Sequence, residues 1–590
     1  MKTYTPPVKD IIFLLKALDY EGTVQSMPGF EDFDLEISES ILDQIGQFAV
    51  NELVPLNEVG DRQGVTYRPD DHGVETAPGF KEAYAKYVET GFIALCEDPD
   101  YGGMGAPYTL SLLANEIILA ANKSFSMCQG LTQHLLHALS AFGTQWQKDT
   151  FLSRLTTGEW SGTMALTEPQ CGTDLGLITT RAEPSADGET YQITGNKIWI
   201  SFGEHDMAEN IVHLVLARIV GGPEGIRGIS AFLVPKVNLD GSPNGVTCGG
   251  LEHKMGINAS PTCVMNFEDA TGYLVGEPHK GMRSMFVMMN AARLAVGAEG
   301  HALGEIAYQS ALSFARDRRQ SRALDPALRD ADHKADTILV HPDIRRMLLN
   351  IKSTNEGLRA LSAYIAMHYD IAHHHPDEAV RQRADDLVAL LTPIMKSYGS
   401  ERGFANTSEA MQITGGAGYT TDWPIEQYLR DARIAMIYEG TNHIQALDLV
   451  GRKLPSNNGR SLTVFLEEVA AFQAAAEGDD RLAPFSEALG AEARRLSKIT
   501  RELGAASQKD RSLVGAVASS YLNLFAIVSL TLMWCRQVQH AVTLPDDDYA
   551  QAKIKTARYF IDIVLPEADT YARQVRAGAS VMMDFPDAML

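Results

Sequence analysis

Residues 191–201 read YQITGNKIWIS, and this run of β-favouring residues decides the class of fold. Three similar runs follow it: IVHLVLARI at 211–219, GISAFLVPKV at 228–237 and TCVMNFEDATGYLVG at 262–276. Short runs rich in valine, isoleucine, threonine and aromatic residues, separated by turn-forming residues, are typical of strands in a compact sheet. The sequence therefore predicts an all-β domain, a barrel or a sandwich, over residues 162–278.

Helical patterns lie on both sides of this β region. LSLLANEIILAA, at residues 110–121, is rich in helix formers, and no alternating strand pattern competes with it. Further along the chain, Met282, Met285, Phe286 and Met289 recur at the spacing of one helix face. We interpret this stripe as core packing rather than as a dedicated acyl pocket. The fold class that follows is mainly α with a central β domain.

The chain is long enough for several domains, and its patterns predict four. We expect an N-terminal helical domain over residues 1–161, the middle β domain over 162–278 and a helical bundle domain over 279–454. PSNNG, at 455–459, is typical of a linker. An alanine-rich helical extension over 461–590 completes the predicted order.

Composition excludes several classes of function. The chain carries 51 basic and 75 acidic side chains, a formal net charge of −24, which argues against a broad nucleic-acid or anionic-lipid surface. The six cysteines never approach the CxxC spacing of a zinc ribbon or redox pair, which favours a reduced, cytoplasmic chain. Between Arg511 and Arg536 no charged residue occurs, but Ser519, Ser520 and Asn523 interrupt this stretch. We therefore predict a buried core helix there and no membrane span.

Familiar cofactor and metal motifs do not occur. The sequence contains no GxxxxGK[ST], HExxH or GxSxG motif, and its glycine clusters do not complete GxGxxG. Three consecutive histidines, at 373–375, directly precede Pro376, where a helix should end and where histidine interacts favourably with the helix dipole. No metal site is predicted.

Two segments between residues 164 and 204 suggest a ligand-binding surface. MALTEPQCGTDLG offers the hydroxyls of Thr167 and Thr173 in a loop suited to a polar ring edge or a phosphate, although its composition is also that of a simple turn. KIWISFGE places Trp199 and Ser201 two residues apart, on one face of a strand. An aromatic plane beside a hydroxyl could line a flat heterocycle; the alternative is an ordinary core tryptophan.

A third segment, RIAMIYEGTNHIQALDL at 433–449, contains a candidate base. Glu439 follows Ile437 and Tyr438, and apolar neighbours raise the pKa of a carboxyl by removing it from water. Gly440 lets the backbone turn and leaves room for a ligand. Taken alone, the pattern also fits an exposed glutamate at a helix end.

The order of these three segments within the helix–β–helix layout resembles the acyl-CoA dehydrogenase family of FAD enzymes over residues 40–450. The resemblance implies that Glu439 removes the α-proton of an acyl-CoA thioester while the β-hydride passes to FAD, giving a trans-2-enoyl-CoA. It also implies that electron-transfer flavoprotein accepts the electrons. Because FAD contacts cross between subunits in the family, the resemblance implies a homodimer at least.

The resemblance further implies roles for individual residues. Some relatives place the catalytic carboxylate directly before the arginine that matches Arg293, but this chain has Ala292 there, which leaves Glu439 as the candidate. Arg318 matches an arginine that reaches the FAD pyrophosphate of the neighbouring subunit. The implied FAD contacts are Thr167, Thr173, Trp199, Ser201, Arg318, Gln320, Gln412, Gly416, Thr441 and His443. The implied substrate contacts are Thr173, Arg293, Tyr438 and Gly440.

The chain departs from the family pattern at several positions. Thr173 stands where serine is usual and Ser201 where threonine is common, and both exchanges keep a hydroxyl. A charged insertion at 323–339 follows Arg318, and beyond it His341 and Pro342 match flavin-proximal positions. The added C-terminal region, together with YTPPVKDIIFLL and GLEHKMGINASPT, is similar to a long bacterial branch of the family.

That branch leaves the substrate open. It includes oxidation of 3-methylmercaptopropionyl-CoA in dimethylsulfoniopropionate breakdown, which we expect here, and also fatty acyl-CoA dehydrogenases of β-oxidation. An acyl-CoA oxidase would share fold and base but pass its electrons to oxygen. The DNA-associated adaptive-response flavoprotein of the same superfamily is a candidate of a different class, and the charge of −24 argues against it.

Overall fold

The computed structural model describes residues 4–186, 188–510 and 512–590 of the chain. It confirms a mainly helical fold around a central β domain. The helices before the sheet are α1 Val8–Ala17, α2 Leu35–Phe48, α3 Val54–Gln63, α4 Phe80–Thr90, α5 Tyr108–Ala121, α6 Lys123–Phe142, α7 Gln145–Gln147 and α8 Ser153–Thr156. Those after it are α9 Gly281–Asp317, α10 Pro342–His374, α11 Glu378–Thr414, α12 Ile425–Arg433 and α13 Asn442–Asp448. The C-terminal helices are α14 Arg460–Ala475, α15 Ala483–Ser507, α16 Ser512–Ala541, α17 Asp548–Tyr559, α18 Glu567–Ala577 and α19 Ser580–Met583.

The strands form a small hairpin and a larger, closed sheet. The hairpin strands are β1 Thr66–Arg68 and β2 Gly73–Glu75; the others are β3 Trp160–Ala165, β4 Arg181–Pro184, β5 Tyr191–Ser201, β6 Asn210–Ile219, β7 Ile229–Pro235, β8 Val246–Leu251 and β9 Thr262–Val275. Neighbours run in the order β3-β6-β4-β5-β9-β7, with β8 on β9, and an antiparallel pairing of β6 with β7 closes the ring. The β region is therefore a barrel. The hairpin lies within residues 1–161, the region for which the sequence predicted a helical domain.

Two compact units divide the chain. One contains the chain up to Asp43, Pro107–Glu116 and Arg293–Leu590, and the other contains Gln44–Ala106 and Ile117–Ala292. The β barrel belongs to the second unit, and the candidate base belongs to the first. This division follows packing, so the four-domain order along the sequence stays a prediction.

The methionine stripe packs in a core, as predicted. Met285 of the stripe is fully buried in a cluster with barrel residues such as Leu214, and Met288, which lies outside the stripe, is buried in the same cluster. Met282 and Met289 lie partly buried against the same cluster. These side chains therefore help to fix the first turns of α9 against the barrel.

A buried ionic network ties the helices of the first unit together. The guanidinium of Arg359 on α10 lies 2.5 Å from Asp10, 2.7 Å from Glu116 and 2.9 Å from Glu305, which belong to α1, α5 and α9. On α17, Lys553 also pairs with Asp10. Because unpaired buried charges are costly, this network fixes the mutual positions of five helices.

Helix α16 is long and apolar enough to cross a membrane by length and composition, and two-thirds of its most apolar window is buried. The same combination is found in core helices. Trp534, near its end, is fully buried and donates its indole N–H to the carbonyl of Ser353 at 3.1 Å. This helix packs against α10, α15, α17 and α18.

Candidate active site

Glu439 lies on a strained loop. The chain leaves a short 3₁₀ turn, Ile434–Met436, and enters α13 at Asn442. Between them, Glu439 has φ +55° and Gly440 has φ +81°. A non-glycine residue in the left-handed region costs free energy and persists only where surrounding contacts impose it.

Side chains from α11 and α13 hold the carbonyls of this loop. The buried ammonium of Lys396 lies 2.7 Å from the Gly440 carbonyl and 3.0 Å from Asn442 Oδ1. The amide of Gln445 donates to the carbonyls of Glu439 and Gly440, each at 3.1 Å. Both carbonyls of the loop are therefore held from the protein side.

The amide N–H of Glu439 is left available. Within the part of the chain that the structure describes, it has no backbone or side-chain hydrogen-bond acceptor. The carbonyls of the same loop are occupied, so the free group is a donor. A donor beside a candidate base can hydrogen-bond to a ligand oxygen that gains negative charge.

The electrostatics of the loop suit a base. The pKa of Glu439 is raised from 4.5 to about 7: burial is the main cause and Glu299 adds to it, while Arg293 and Lys396 oppose it. The sequence predicted the direction of this shift. A carboxyl with a pKa near neutrality combines basicity with a substantial ionised fraction at physiological pH.

Three predicted substrate residues flank this base. The Arg293 side chain is buried and lies 3.2 Å from Asp448, and its Nε has no partner among the described residues. The hydroxyl of Tyr438 donates to the buried carboxylate of Glu299, so this end of the ring is engaged by the protein. Gly440 provides the turn described above. Contact of these residues with a substrate stays a prediction.

The barrel presents an exposed tryptophan. A bulge interrupts the pairing of β5 with β9 between Lys197 and Ile200, and Trp199, with φ +59°, is 60% exposed. The prediction that Trp199 and Ser201 share a face through simple strand alternation is wrong here, because the bulge breaks the alternation between them. The core-tryptophan alternative is also wrong.

A buried ion pair joins the two barrel motifs, and sequence reasoning missed it. Glu168 and Lys197 are fully buried and 2.8 Å apart, and Lys197 also donates to the Leu166 carbonyl at 3.0 Å. The Glu168 carboxylate accepts further hydrogen bonds from the backbone N–H and hydroxyl of Thr179 and Thr180. Lys197 lowers the pKa of Glu168 to about 2, against the effect of burial.

This pair brings the predicted threonine loop to the tryptophan strand. The carbonyl of Thr167 accepts from the amide of Ile198 at 2.9 Å, directly beside Trp199. Thr173 is exposed at the tip of the same loop, and Ser201 is half-buried at the end of β5. The barrel residues predicted to bind FAD therefore belong to two adjacent segments.

The helical unit contains the other predicted FAD contacts. Arg318, just after α9, is exposed, and its guanidinium has no ion-pair partner among residues 4–186, 188–510 and 512–590. The amide of Gln320 donates to the Asp336 carbonyl at 3.0 Å, and its own carbonyl lies 2.8 Å from Nε2 of His341. The insertion after Arg318 thus folds back and is fixed beside it.

The remaining contacts lie near helix ends. Gln412 is exposed in the last turn of α11, and a Cβ added at Gly416 would meet open space. Thr441 immediately precedes α13 and is exposed. His443 is exposed, and its Nδ1 lies 3.1 Å from the hydroxyl of Ser519 on α16, a contact with the C-terminal extension.

The structure brings together a group of possible metal ligands that the sequence pattern did not predict. Donor atoms of Cys96, Glu97 and His137 lie within 4.8 Å of one another in the barrel-containing unit. They were missed because forty residues separate the loop from the helix. Three donors are fewer than the four of a structural zinc site.

The features of each unit, taken separately, indicate a class of protein. A desolvated carboxylate with a near-neutral pKa, on a loop held by buried polar groups, is suited to removing a proton from a weakly acidic carbon. Within the barrel unit the exposed Trp199 suits a flat ring, and within the helical unit Arg318, which has no ion-pair partner among the described residues, suits a phosphate group. These are features of an oxidoreductase with a nucleotide-containing cofactor.

Comparison with known proteins identifies the family. The acyl-CoA dehydrogenase N-terminal, middle and C-terminal domain models match residues 36–159, 163–270 and 279–454, and the model called acetyl-CoA dehydrogenase C-terminal like matches 465–586. The chain therefore belongs to the acyl-CoA dehydrogenase family. It is an FAD-dependent oxidoreductase that acts on acyl-CoA thioesters.

Individual relatives match over nearly the full length. The 3-methylmercaptopropionyl-CoA dehydrogenase of Ruegeria pomeroyi is 41% identical, covering 98% of this chain and 99% of that protein. The broad-specificity linear acyl-CoA dehydrogenase FadE5 of Mycobacterium tuberculosis is 33% identical, covering 96% of each. The Bacillus anthracis acyl-CoA dehydrogenase solved with FAD has the same fold, with a TM-score of 0.76, 23% identity and coverage of 94% of this chain and 90% of that one.

The residues present fit FAD. A ring system needs an exposed flat surface, and Trp199 offers one at a fixed backbone bulge. A pyrophosphate needs positive charge that no carboxylate already neutralises, and Arg318 meets that condition within the described residues.

Proposed function

We propose that this enzyme oxidises 3-methylmercaptopropionyl-CoA to methylthioacryloyl-CoA in dimethylsulfoniopropionate breakdown. The observation that carries the proposal is the 41% identity, over 98% of the chain, to a dehydrogenase named for that substrate. The second candidate is a fatty acyl-CoA dehydrogenase of β-oxidation, which the 33% identity to a broad-specificity linear acyl-CoA dehydrogenase favours.

In the proposed mechanism Glu439 removes the proton from the α-carbon of the thioester. With a pKa of about 7, the carboxylate is more basic than an ordinary glutamate, and about half of it is ionised at neutral pH. The negative charge that develops on the thioester oxygen is stabilised by the free amide N–H of Glu439. FAD, when bound, supplies the acceptor for the hydride that leaves the β-carbon. Loss of the proton and the hydride leaves a trans double bond between the two carbons.

The remaining site residues are assigned by the family resemblance and by their positions. We infer that the substrate contacts are Thr173, Arg293, Tyr438 and Gly440. Those proposed to hold FAD are Thr167, Thr173, Trp199, Ser201, Arg318, Gln320, Gln412, Gly416, Thr441 and His443. The guanidinium of Arg318, exposed and without an ion-pair partner in the described part of the chain, supports a contact with the pyrophosphate of a neighbouring subunit's FAD, and hence a homodimer.

We propose electron-transfer flavoprotein as the electron acceptor and the cytoplasm as the location. All six cysteines are free thiols in the structure, which is compatible with a reducing compartment. An acyl-CoA oxidase would instead reduce oxygen, and peroxide formation in the presence of acyl-CoA distinguishes the two. A salt-dependent DNA mobility shift, which we do not expect, would support the adaptive-response class.

The substrate is tested by dye-coupled turnover across a panel of acyl-CoAs. The panel contains 3-methylmercaptopropionyl-CoA, butyryl-CoA, octanoyl-CoA and palmitoyl-CoA, each over a full concentration range. We expect the highest kcat/KM with 3-methylmercaptopropionyl-CoA, because the relative named for that substrate is 41% identical to this chain and the linear acyl-CoA dehydrogenase is 33% identical. A kcat/KM at least tenfold higher for a linear chain would assign the enzyme to β-oxidation.

A further inference from the structure

Lys396 is a buried lysine that the substrate and cofactor assignments leave without a role. It lies in the middle of α11, and its side chain has no exposure to solvent. A buried ammonium is costly unless protein groups replace its hydration shell. Its partners therefore indicate why the helix carries it.

Those partners belong to the base loop. The ammonium donates to the Gly440 carbonyl at 2.7 Å and to the Asn442 side chain at 3.0 Å. Gly440 directly follows the base, and Asn442 begins α13. Asn442 is itself fixed to α11 through the carbonyl of Ser397 at 3.1 Å. The Lys396 side chain thus holds both ends of the short segment, Gly440 to Asn442, that follows Glu439.

We propose that Lys396 is a positioning residue of the dehydrogenation: by holding the Gly440 carbonyl it keeps Glu439 in its left-handed conformation, with the carboxylate and the free amide N–H both directed to the substrate. The inference rests on the proposed role of Glu439 as the base. The φ of +55° at Glu439 shows that the loop needs such restraint. Gln445 holds the same carbonyl with a neutral amide, whereas a charge-assisted bond is about twice as strong.

Lys396 also acts on the base through its charge. The ammonium lowers the pKa of Glu439, as does Arg293 on α9, whereas Glu299 on α9 raises it. Burial lowers the pKa of Lys396 itself to about 8, and the charged neighbours that face it are Glu439, Glu299, Arg293 and Glu401. Removal of its charge should therefore raise the pKa of Glu439 and move the ionisation of the base to higher pH.

The experiment compares FAD-loaded variants in stopped-flow reduction by butyryl-CoA, followed at 450 nm from pH 6 to 9. Lys396→Met removes charge and donors, whereas Lys396→Arg keeps the charge with altered hydrogen-bond geometry. Lys498→Met, at an exposed position of α15, is the matched control. FAD content and melting temperature are recorded for each, so that loss of folding is separated from loss of positioning.

We expect the limiting rate of Lys396→Met to fall about 10- to 100-fold, with little change in the butyryl-CoA concentration at half-saturation and an alkaline shift of the pH midpoint. Lys396→Arg should also be slower but keep the wild-type midpoint. A wild-type limiting rate and midpoint in holo Lys396→Met would overturn the inference. If that variant fails to hold FAD, a wild-type limiting rate in Lys396→Arg would overturn it instead.

Glu439→Gln in the same assay separates this inference from the proposed function. Rapid reduction in Glu439→Gln would refute the base itself. An inactive Glu439→Gln together with a fully active Lys396→Met would leave the base intact and refute only the positioning role.

Discussion

Replacement of Lys197 by methionine should destabilise the barrel at the strand that carries Trp199. The substitution keeps most of the apolar stem but removes the ammonium that lies 2.8 Å from Glu168. The carboxylate then keeps four hydrogen bonds from Thr179 and Thr180 and one from the Gln170 amide, all of them from neutral donors. A buried charge is left without its counter-charge.

The magnitude follows from the structure. A fall in the pKa of Glu168 from 4.5 to about 2 corresponds to roughly 3 kcal/mol of stabilisation of the ionised form. Burial lowers the pKa of Lys197, which offsets part of this gain for the pair as a whole. Removal of one partner of a buried pair typically costs about 3–5 kcal/mol, and the remaining hydrogen bonds place Lys197→Met at the lower end, near 3 kcal/mol.

The pH dependence has a definite sign. Because folding lowers the pKa of Glu168, its contribution to wild-type stability is present above pH 4.5 and is lost as the pH falls toward 2. In Lys197→Met the pKa of Glu168 is no longer lowered by the ammonium, so ionisation of this carboxyl no longer stabilises the folded state. The difference between the two proteins should be largest near pH 7 and should shrink in acid.

Hydrogen exchange of peptides from β5, followed by mass spectrometry, measures this locally. We expect the free energy of exchange of the β5 amides to fall by about 3 kcal/mol in Lys197→Met at pH 7. The double variant Glu168→Gln/Lys197→Met leaves no buried charge at this pair, so it should recover at least about 1 kcal/mol of that loss. Undiminished protection of β5 in the single variant would refute the assignment of the pair as the link between the two barrel motifs.

Three further predictions concern the cofactor surfaces and the helical unit. Arg318→Ala should purify with a reduced FAD content but, once loaded, be reduced by acyl-CoA at a near-normal rate; full occupancy after purification would contradict its pyrophosphate contact. Trp199→Ala should weaken FAD binding by about 1 kcal/mol, or roughly fivefold in Kd by fluorescence titration, with no change in Tm of the apoprotein because the ring is exposed. Arg359→Met should lower stability by about 3–5 kcal/mol, because the buried carboxylates of Asp10 and Glu116 and the partly buried carboxylate of Glu305 lose their shared cation, and a Tm within 1–2 °C of wild type would be incompatible with that network.

Local sequence patterns predicted the class of fold because strand and helix formation depends on residues that are close together in the sequence. Between residues 191 and 276, β-favouring runs mark the strands and turn-forming residues mark the connections between them. The raised pKa of Glu439 was predicted in the same way, because its immediate neighbours, Ile437 and Tyr438, are apolar. The sequence also predicted that α16 is a buried core helix, because polar residues interrupt its apolar stretch.

The features that position the site depend on contacts between distant residues. Glu168 and Lys197 are 29 residues apart, and Lys396 is 44 residues from Gly440, so neither pairing leaves a periodic signal. The bulge at Trp199 arises from a register shift against β9, which local alternation does not reveal. Positive φ at Glu439 is unexpected for a glutamate, and the side chains that contact its loop come from distant parts of the sequence.

Reduction of FAD by acyl-CoA in Glu439→Gln tests the central claim most directly. The variant keeps the size and hydrogen-bonding capacity of the side chain but has no basic carboxylate, and it should retain bound FAD and its yellow colour. A positioned general base contributes about 10²–10⁴-fold to the rate. In anaerobic stopped flow, flavin bleaching at 450 nm by 3-methylmercaptopropionyl-CoA or butyryl-CoA should therefore slow by at least about 100-fold. Bleaching within tenfold of the wild-type rate in the FAD-loaded variant would show that another group removes the proton.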